Sequence, residues 1–419
     1  MEPRPLSPHG GAGSTLGGAC RFAKRAAAVL ALALLAACAA PAQKEGAAPA
    51  GTDTKVDTKV DTKVDTRADT RAGDRSLHPG GEAPSMRLVS GPDLGGLTPG
   101  RLFPAPNLDA RMRFIEAIDQ CGRSADVGVQ TDARVLRELF ESSADEQEFL
   151  RQLAERFTAW ESVPADARAK PTEGLVTGYA TPVVRATRRA EGRFRYPLFV
   201  DLRRRFPQVA DAPRRQILST PGVDTQAIAW VSDPLAWALI ETNGSARLLF
   251  EDGVEPKELC ISRVSTNGRP WTGMGRWFAA NGLIDKPNYT LADVRTTAYV
   301  HPEKAEMAAL DNERVVYFNL VDPRRFPTAL GLPGARLIAG WSAAADQSIY
   351  PPGSILLLVE ETEGQRVAHL LFVHDAGGAI AGPQRVDCYL GEGDAALSRA
   401  GDLRGAARVY RLRVASGAE

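Results

Sequence analysis

The chain has 419 residues, enough for two or three domains, and its 44% apolar content allows a sizeable buried core. Lys plus Arg (51) equals Asp plus Glu (51), so the formal charge is zero, which excludes the basic footprint of a nucleic-acid binder. The five His are scattered, and no Cys/His spacing matches a zinc site, so neither a metal nor a cofactor is expected.

In chain order, the first legible element is a basic cluster, Arg21, Lys24 and Arg25, followed by the apolar run Ala26 to Ala37. Twelve apolar residues are too few to span a bilayer but suit the core of a signal peptide. The run ends in Leu35-Ala36-Ala37-Cys38, which resembles a bacterial lipobox. The resemblance implies a lipoprotein signal peptide over 1–37, with Cys38 acylated as the first mature residue. Several acyl chains would then anchor the protein stably. Ala39 in place of Asp implies the outer membrane, with the protein facing the periplasm. The plainer alternative is an ordinary signal peptide with Cys38 incidental.

Residues 53–75 repeat Asp-Thr-Lys-Val and then Asp-Thr-Arg-Ala, which in a helix would stack like charges at i,i+4. With the Pro, Gly and Ser around it, the stretch 38–104 reads as a disordered tether. Such a tether has an r.m.s. reach of roughly 45 Å, which would let an anchored domain search a layer away from the membrane.

From about 105 the composition becomes globular. Apolar spacing predicts helices over 108–120 and 133–160. Beyond 174, short apolar or alternating runs at 227–231, 235–242, 245–250, 314–318, 354–360, 366–373 and 408–414 read as strands. Asn243-Gly244 between two of these runs signals a tight hairpin. The globular part is therefore expected to be mainly β with N-terminal helices. Cys121, Cys260 and Cys388 remain after the lipobox, so at most one disulfide can form.

The most suggestive chemistry lies between His374 and Gly391. Asp375 closes an apolar strand and runs into Gly377 and Gly378, which permit tight turns. Asp387 sits between Val386 and Cys388 inside a second short strand. A carboxylate there is costly unless hydrogen-bonded or functional, and dehydration would raise its pKa into the range of a general acid. Exposure of Asp387 on the polar face of its strand is the alternative. His374 beside Asp375 is discounted as a dyad, because alternation points neighbouring side chains to opposite faces.

These segments resemble the membrane-bound lytic murein transglycosylase A family and its C-terminal three-aspartate domain. That family has an Asp-x-Ser-Ile-x-Pro-x-Gly motif, an Asp-x-Gly-Gly-Ala-Ile-x-Gly motif and an Asp-hydrophobic-aromatic strand. This chain supplies Asp346 to Gly353, then Asp375 to Gly382, then Asp387-Cys388-Tyr389. Upstream, Gly178-Tyr179-Ala180-Thr181-Pro182, Arg195-Tyr196-Pro197-Leu198-Phe199 and Asn267-Gly268-Arg269-Pro270-Trp271 are similar to further family segments, so the resemblance covers about 105–415. Two departures stand out. Ala180 replaces the second Tyr of Gly-Tyr-Tyr, and Asn243-Gly244-Ser245-Ala246 replaces Gln-Gly-Ser-Gly.

The resemblance implies a double-psi β-barrel domain (105–180 plus 310–419) with a smaller β-barrel domain inserted (181–309) and a glycan groove between them. It implies Asp387 as the catalytic acid, Asp375 as a supporting carboxylate and Asp346 as a structural member of the motif. Tyr179, Thr181, Asn243 and Ser245 become candidate sugar contacts, although a core Tyr or a hairpin Asn explains the first and third equally well. Trp271 and Trp277 read as packing residues. The implied activity is cleavage of peptidoglycan strands by a monomer, leaving 1,6-anhydromuramic acid ends. Two alternatives are a glycan-binding lipoprotein without turnover and a hydrolase using Asp375 and Asp387 together.

Overall fold

The computed structural model describes residues 86–164, 174–321, 330–332, 334–362 and 364–415. The lipobox, Cys38 and the Asp-Thr-Lys-Val repeats lie outside these. Residues 86–104, expected as tether, carry two strands, β1 (Met86–Ser90) and β2 (Thr98–Arg101). Each pairs at the edge of a sheet, so backbone hydrogen bonding orders a segment whose Gly- and Pro-rich composition hid it.

Three helices follow: α1 (Leu108–Cys121), α2 (Val127–Ser142) and α3 (Glu146–Arg156). Asn107, Asp126 and Asp145 cap their N-termini by accepting backbone N–H bonds of 2.8–2.9 Å. The run predicted as one helix over 133–160 is thus α2, α3 and the start of β3 (Phe157–Pro164). Asp145 ends the first helical period by capping the next.

Next come β4 (Gly174–Thr181), β5 (Val183–Thr187), β6 (Tyr196–Phe199), α4 (Arg214–Ser219) and β7 (Ala227–Val231). They lead into α5 (Pro234–Asn243), β8 (Ser245–Phe250), β9 (Glu258–Thr266), α6 (Met274–Ala280), α7 (Leu291–Val300), α8 (Pro302–Asp311) and β10 (Val316–Val321). The predicted strand 235–242 is α5. Asp233 caps it and Pro234 opens it, and a helix buried on several sides carries no clear amphipathic period. Asn243-Gly244 is accordingly no hairpin. Gly244 ends α5 in the left-handed region at φ 71°, the conformation in which glycine has no Cβ penalty.

Strands β5 to β10 close into a six-strand barrel in the order β10-β6-β7-β5-β8-β9. Strand β10 therefore belongs to the inserted barrel, whereas the sequence reading had assigned 310 onward to the first. The apolar run at 314–318 gave no sign of its partners, which are β9 and β6.

The chain then returns through β11 (Ser342–Ala345), β12 (Ile355–Thr362), β13 (Gln365–Asp375), β14 (Arg385–Glu392), α9 (Gly393–Asp402) and β15 (Arg404–Val414). Strands β15-β12-β13-β11-β14-β4 form a second closed circuit, sealed by the pairing of β4 with β15. Its strands are apolar on both faces for a reason. Leu356, Leu358, Leu371, Val373 and Val409 fill the barrel, while Leu357, Leu370, Phe372 and Leu412 pack outward under α1–α3. Helices are thus not confined to the N-terminus. Cys121, Cys260 and Cys388 are all buried.

The inserted barrel is braced by a buried ion pair. Arg214 of α4 meets Glu241 of α5 at 2.5 Å, donates from Nε to the Asn312 carbonyl at 2.7 Å and stacks on Trp237 at 4.3 Å. Replacing Glu241 by Ala strands a buried cation. It should cost about 3–5 kcal/mol in a urea denaturation experiment; an unchanged midpoint would show that the pair does not brace the barrel.

Candidate active site

The three-aspartate strands bring their carboxylates together through small residues. Strand β11 reads Ser-Ala-Ala-Ala and lies between β13 and β14. Its Ala344 is in register with Asp375 on one side and with Asp387 on the other, and Asp387 is in register with Thr177 of β4. Asp375, Ala344, Asp387 and Thr177 therefore form one row across four strands. Strands are spaced about 4.8 Å apart, so the two aspartate Cα atoms stand roughly 10 Å apart with only a methyl group between them.

Asp375 reaches this row through a bulge. Register shifts between Ala343 and Ala344, so β13 carries an extra residue, His374. The His374 ring turns inward, with Nδ1 2.8 Å from Ser342 Oγ and Nε2 3.4 Å from Cys121 Sγ. Asp375 is left to face Tyr179, and the discounted His–Asp dyad is absent among the described residues.

The two carboxyls differ in their hydrogen bonds. Tyr179 donates its hydroxyl to Asp375 Oδ2 at 2.8 Å, and the Ala376 N–H donates to Oδ1 at 2.8 Å. Asp387 accepts from Thr177 Oγ1 at 2.5 Å on Oδ1, and Oδ2 has no hydrogen bond among the described residues. Burial pushes the Asp375 pKa up to about 6; the Ala376 N–H, the Tyr179 hydroxyl and the Arg263 charge offset this, and Asp387 adds to it. Burial likewise raises Asp387, against the Thr177 bond and the Arg385 cation. Burial and the neighbouring carboxylates hold the Tyr179 phenol far above its usual range, so it stays a donor.

The other sequence candidates divide. Thr181 Oγ1 lies 3.1 Å from the Tyr389 hydroxyl, and the Tyr389 ring packs 5.3 Å from that of Tyr179. Thr181 and Ser245 line one small cleft with Ser262, where the two barrels meet. Asn243 does not join them: its side-chain amide bonds back to the Leu239 carbonyl at 2.8 Å as part of the helix end. Asp346 binds backbone and hydroxyl groups, accepting from Gly382 N at 2.8 Å, Ser348 N at 3.0 Å and Ser348 Oγ at 2.6 Å. It thereby ties the β11 end to the Gly-rich loop. That loop turns tightly, with Ile380 N on the Gly377 carbonyl at 2.9 Å, and a Cβ at Gly377 would meet the Ile380 side chain at 2.8 Å. Gly378 lies exposed at the tip of the same turn.

Sequence reasoning passed over Thr177, Tyr389, Arg385 and Arg263. Thr177 directly precedes the Gly178 to Pro182 segment and lies two residues before Tyr179, a spacing that on a strand puts both on the same face. The departures resolve as packing. Ala180 is fully buried against Ala396 and Leu397 of α9, and Ala246 is fully buried in the inserted barrel.

Two closed six-strand barrels, one bearing a row of dehydrated aspartates, define a two-barrel protein built on a three-aspartate domain. Residues 175–319 match the MltA specific insert domain, and 341–413 match the 3D domain, together more than half of the chain. The chain belongs to the membrane-bound lytic murein transglycosylase A family. It is 30% identical over 251 residues to membrane-bound lytic murein transglycosylase A of Escherichia coli K12, an alignment covering 58% of this chain and 66% of the relative, just under two thirds. The fold is similar to that of E. coli MltA solved with bound chitohexaose (TM-score 0.60, 24% identity, 76% of this chain and 95% of that one). It is also similar to the membrane-bound lytic murein transglycosylase of Agrobacterium tumefaciens (TM-score 0.57, 20% identity, 79% and 98%).

The raised Asp375 pKa has a consequence for stability. A carboxyl at about 6 in the folded state, against 3.8 ordinarily, binds more protons folded than unfolded between those values. Its stabilising contribution is therefore complete below about pH 4 and is lost as pH rises through 6, a difference of about 3 kcal/mol. Asp375→Asn should match the native protein in thermal stability at pH 4 and exceed it at pH 8. Parallel melting curves across that range would contradict the dehydration of Asp375.

Proposed function

We propose that this chain is a peptidoglycan lytic transglycosylase, cleaving the β-1,4 bond between N-acetylmuramic acid and N-acetylglucosamine, with Asp387 as its single general acid–base. The carrying observation is the uncommitted Oδ2 of a largely dehydrated carboxyl, beside an Asp375 whose oxygens both accept hydrogen bonds. A raised pKa keeps Asp387 protonated closer to neutrality, as proton donation to a glycosidic oxygen requires.

Asp387 protonates the leaving oxygen as the C6 hydroxyl of the muramyl sugar attacks C1. The Asp387 carboxylate then takes the hydroxyl proton, the 1,6-anhydro ring closes, and the acid is restored for the next cut. Because the nucleophile belongs to the same sugar, proximity replaces a second enzymic carboxylate or a bound water. Asp375, held by Tyr179 and Ala376, orients the site and stabilises positive charge developing at C1. Asp346, Gly377 and Gly378 shape the loop that carries the row. Tyr179, Thr181 and Ser245 face the sugar chain at the meeting of the barrels. The first barrel is the catalytic domain and the inserted one the substrate-binding domain.

Relatives named as membrane-bound, together with the lipobox, support an envelope location: a monomer lipid-anchored at Cys38 in the outer membrane and facing the periplasm. The buried positions of Ala180 and Ala246 weigh against a binder that has lost turnover, since neither departure removes a group from the aspartate row.

Incubation of purified sacculi with the protein should release muropeptides with anhydro ends, and Asp387→Asn should lower that rate by at least about 10²-fold. Reducing ends would indicate a hydrolase using both aspartates. Sacculi bound but intact would indicate a non-catalytic binder, and full turnover by the variant would remove Asp387 from the mechanism.

A further inference from the structure

Strands β8 and β9 of the inserted barrel have one apolar and one polar face. Ala246, Leu248 and Ile261 are buried in the barrel core. Alternation puts Ser245 and Arg247 on the other face of β8, and Cys260 and Ser262 on the other face of β9. That outer face meets the first barrel. Arg247 donates from Nε to Glu392 at the end of β14 at 2.8 Å, and Thr181 at the end of β4 lines one cleft with Ser245, Cys260 and Ser262.

At this cleft the polar face runs across three strands. Ser245 is in register with Ser262, and Ser262 with Asn319 of β10. Partners in antiparallel register share a face, so the three form a row about 10 Å wide. Val321, two residues after Asn319 on the same strand, lines the cleft as well, which puts Asn319 on that side. None of the three side chains makes a hydrogen bond among the described residues, although Thr181 beside them is engaged with Tyr389. The row is therefore neutral and open to a ligand, with two hydroxyls and an amide that can each donate and accept.

The row is continuous with the aspartates. Thr181 Oγ1 lies 3.1 Å from the Tyr389 hydroxyl, the Tyr389 ring packs on Tyr179, and Tyr179 donates to Asp375. Along β4, Thr181 stands four residues, about 13 Å, from the Thr177 that holds Asp387. A sugar lying on the row is then a neighbour of the reacting one. We infer that Ser262 and Asn319, together with Ser245, form a specificity strip that recognises the acetamido group of a sugar flanking the cut. The Asn319 amide pairs with the acetamido group, and the serine hydroxyls bond the oxygens beside it. The inference rests on the glycan-cleaving function proposed above and adds a reason for selecting N-acetylated chains over β-1,4-glucan, which carries a hydroxyl in that place.

Titration calorimetry in the Asp387→Asn background keeps the ligand uncut, with chitohexaose and cellohexaose as probes of equal length and linkage. Chitohexaose should bind more tightly than cellohexaose. Ser262→Ala and Asn319→Ala should each weaken chitohexaose about fivefold, the loss of one hydrogen bond, and leave cellohexaose within about twofold. Combining them should bring the two ligands close to equal affinity, and Asn319→Gln, which keeps the amide, should recover part of the loss. Equal weakening of both ligands, no weakening of chitohexaose, or no preference in the parent protein overturns the inference. Release of anhydro-ended muropeptides by the native chain reports separately on the functional proposal: with release intact, those binding results sink the strip alone. Binding of neither hexaose, with no muropeptides released, sinks both.

Discussion

Everything at the site depends on holding two carboxyl groups out of water without neutralising them by ion pairs. A carboxylate removed from solvent is destabilised unless donors meet it, and here the donors are sparing. Two reach Asp375 and one reaches Asp387, none of them from a salt bridge. The result is a pair of acids displaced upward in pKa rather than a pair of fixed anions. An arginine in ion-pair contact would have given the opposite outcome, depressing the pKa and leaving no proton to donate. Arg385 illustrates the restraint: its Nη1 bonds to the Leu175 and Val386 carbonyls at 3.2 and 2.8 Å, so it is felt at Asp387 without pairing to it.

The spacing of the row follows from side-chain size. Strand β11 contributes only Ser and Ala, and Ala344 alone separates the aspartates. A larger residue there would stand between the two carboxyls and cover them. The His374 bulge is the complementary device. It lets β13 direct one side chain into the core toward Cys121 and Ser342, and the next outward to Tyr179, without breaking the sheet.

How much of this was legible in the sequence depended on whether the signal was local. The helix α1, the helical character of 133–156 and the strands β12, β13 and β15 showed through their apolar periods, and the aspartates through their Gly-flanked motifs. The helix α5 did not, because an apolar stretch buried on several sides has the same appearance in either conformation, and Asn-Gly serves a helix end as readily as a hairpin. Thr177 was within reach, since it shares a strand face with Tyr179. Arg263 was not: nothing in β9 says that its charge is felt at Asp375, 112 residues later, because that influence exists only in the folded protein.

That closure also explains why the site is divided between distant parts of the chain. Strand β14 pairs in parallel with β4, about 210 residues earlier, and β4 in turn seals the circuit against β15. The inserted barrel occupies the interval and leaves from the end of β4 itself, with only Pro182 between Thr181 and Val183. Arg247 of the inserted barrel binds Glu392 at the end of β14 at 2.8 Å, so β14 as well as β4 is tethered to it. The aspartate motifs alone would have neither the Thr177 hydroxyl for Asp387 nor the Tyr179 hydroxyl for Asp375, and β14 would be left as an open edge. Closing the first barrel therefore pairs strands that lie on either side of the inserted barrel in the sequence. The same connection, with the Arg247–Glu392 pair, holds the inserted barrel against the strands β4 and β14 that carry Thr177 and Asp387.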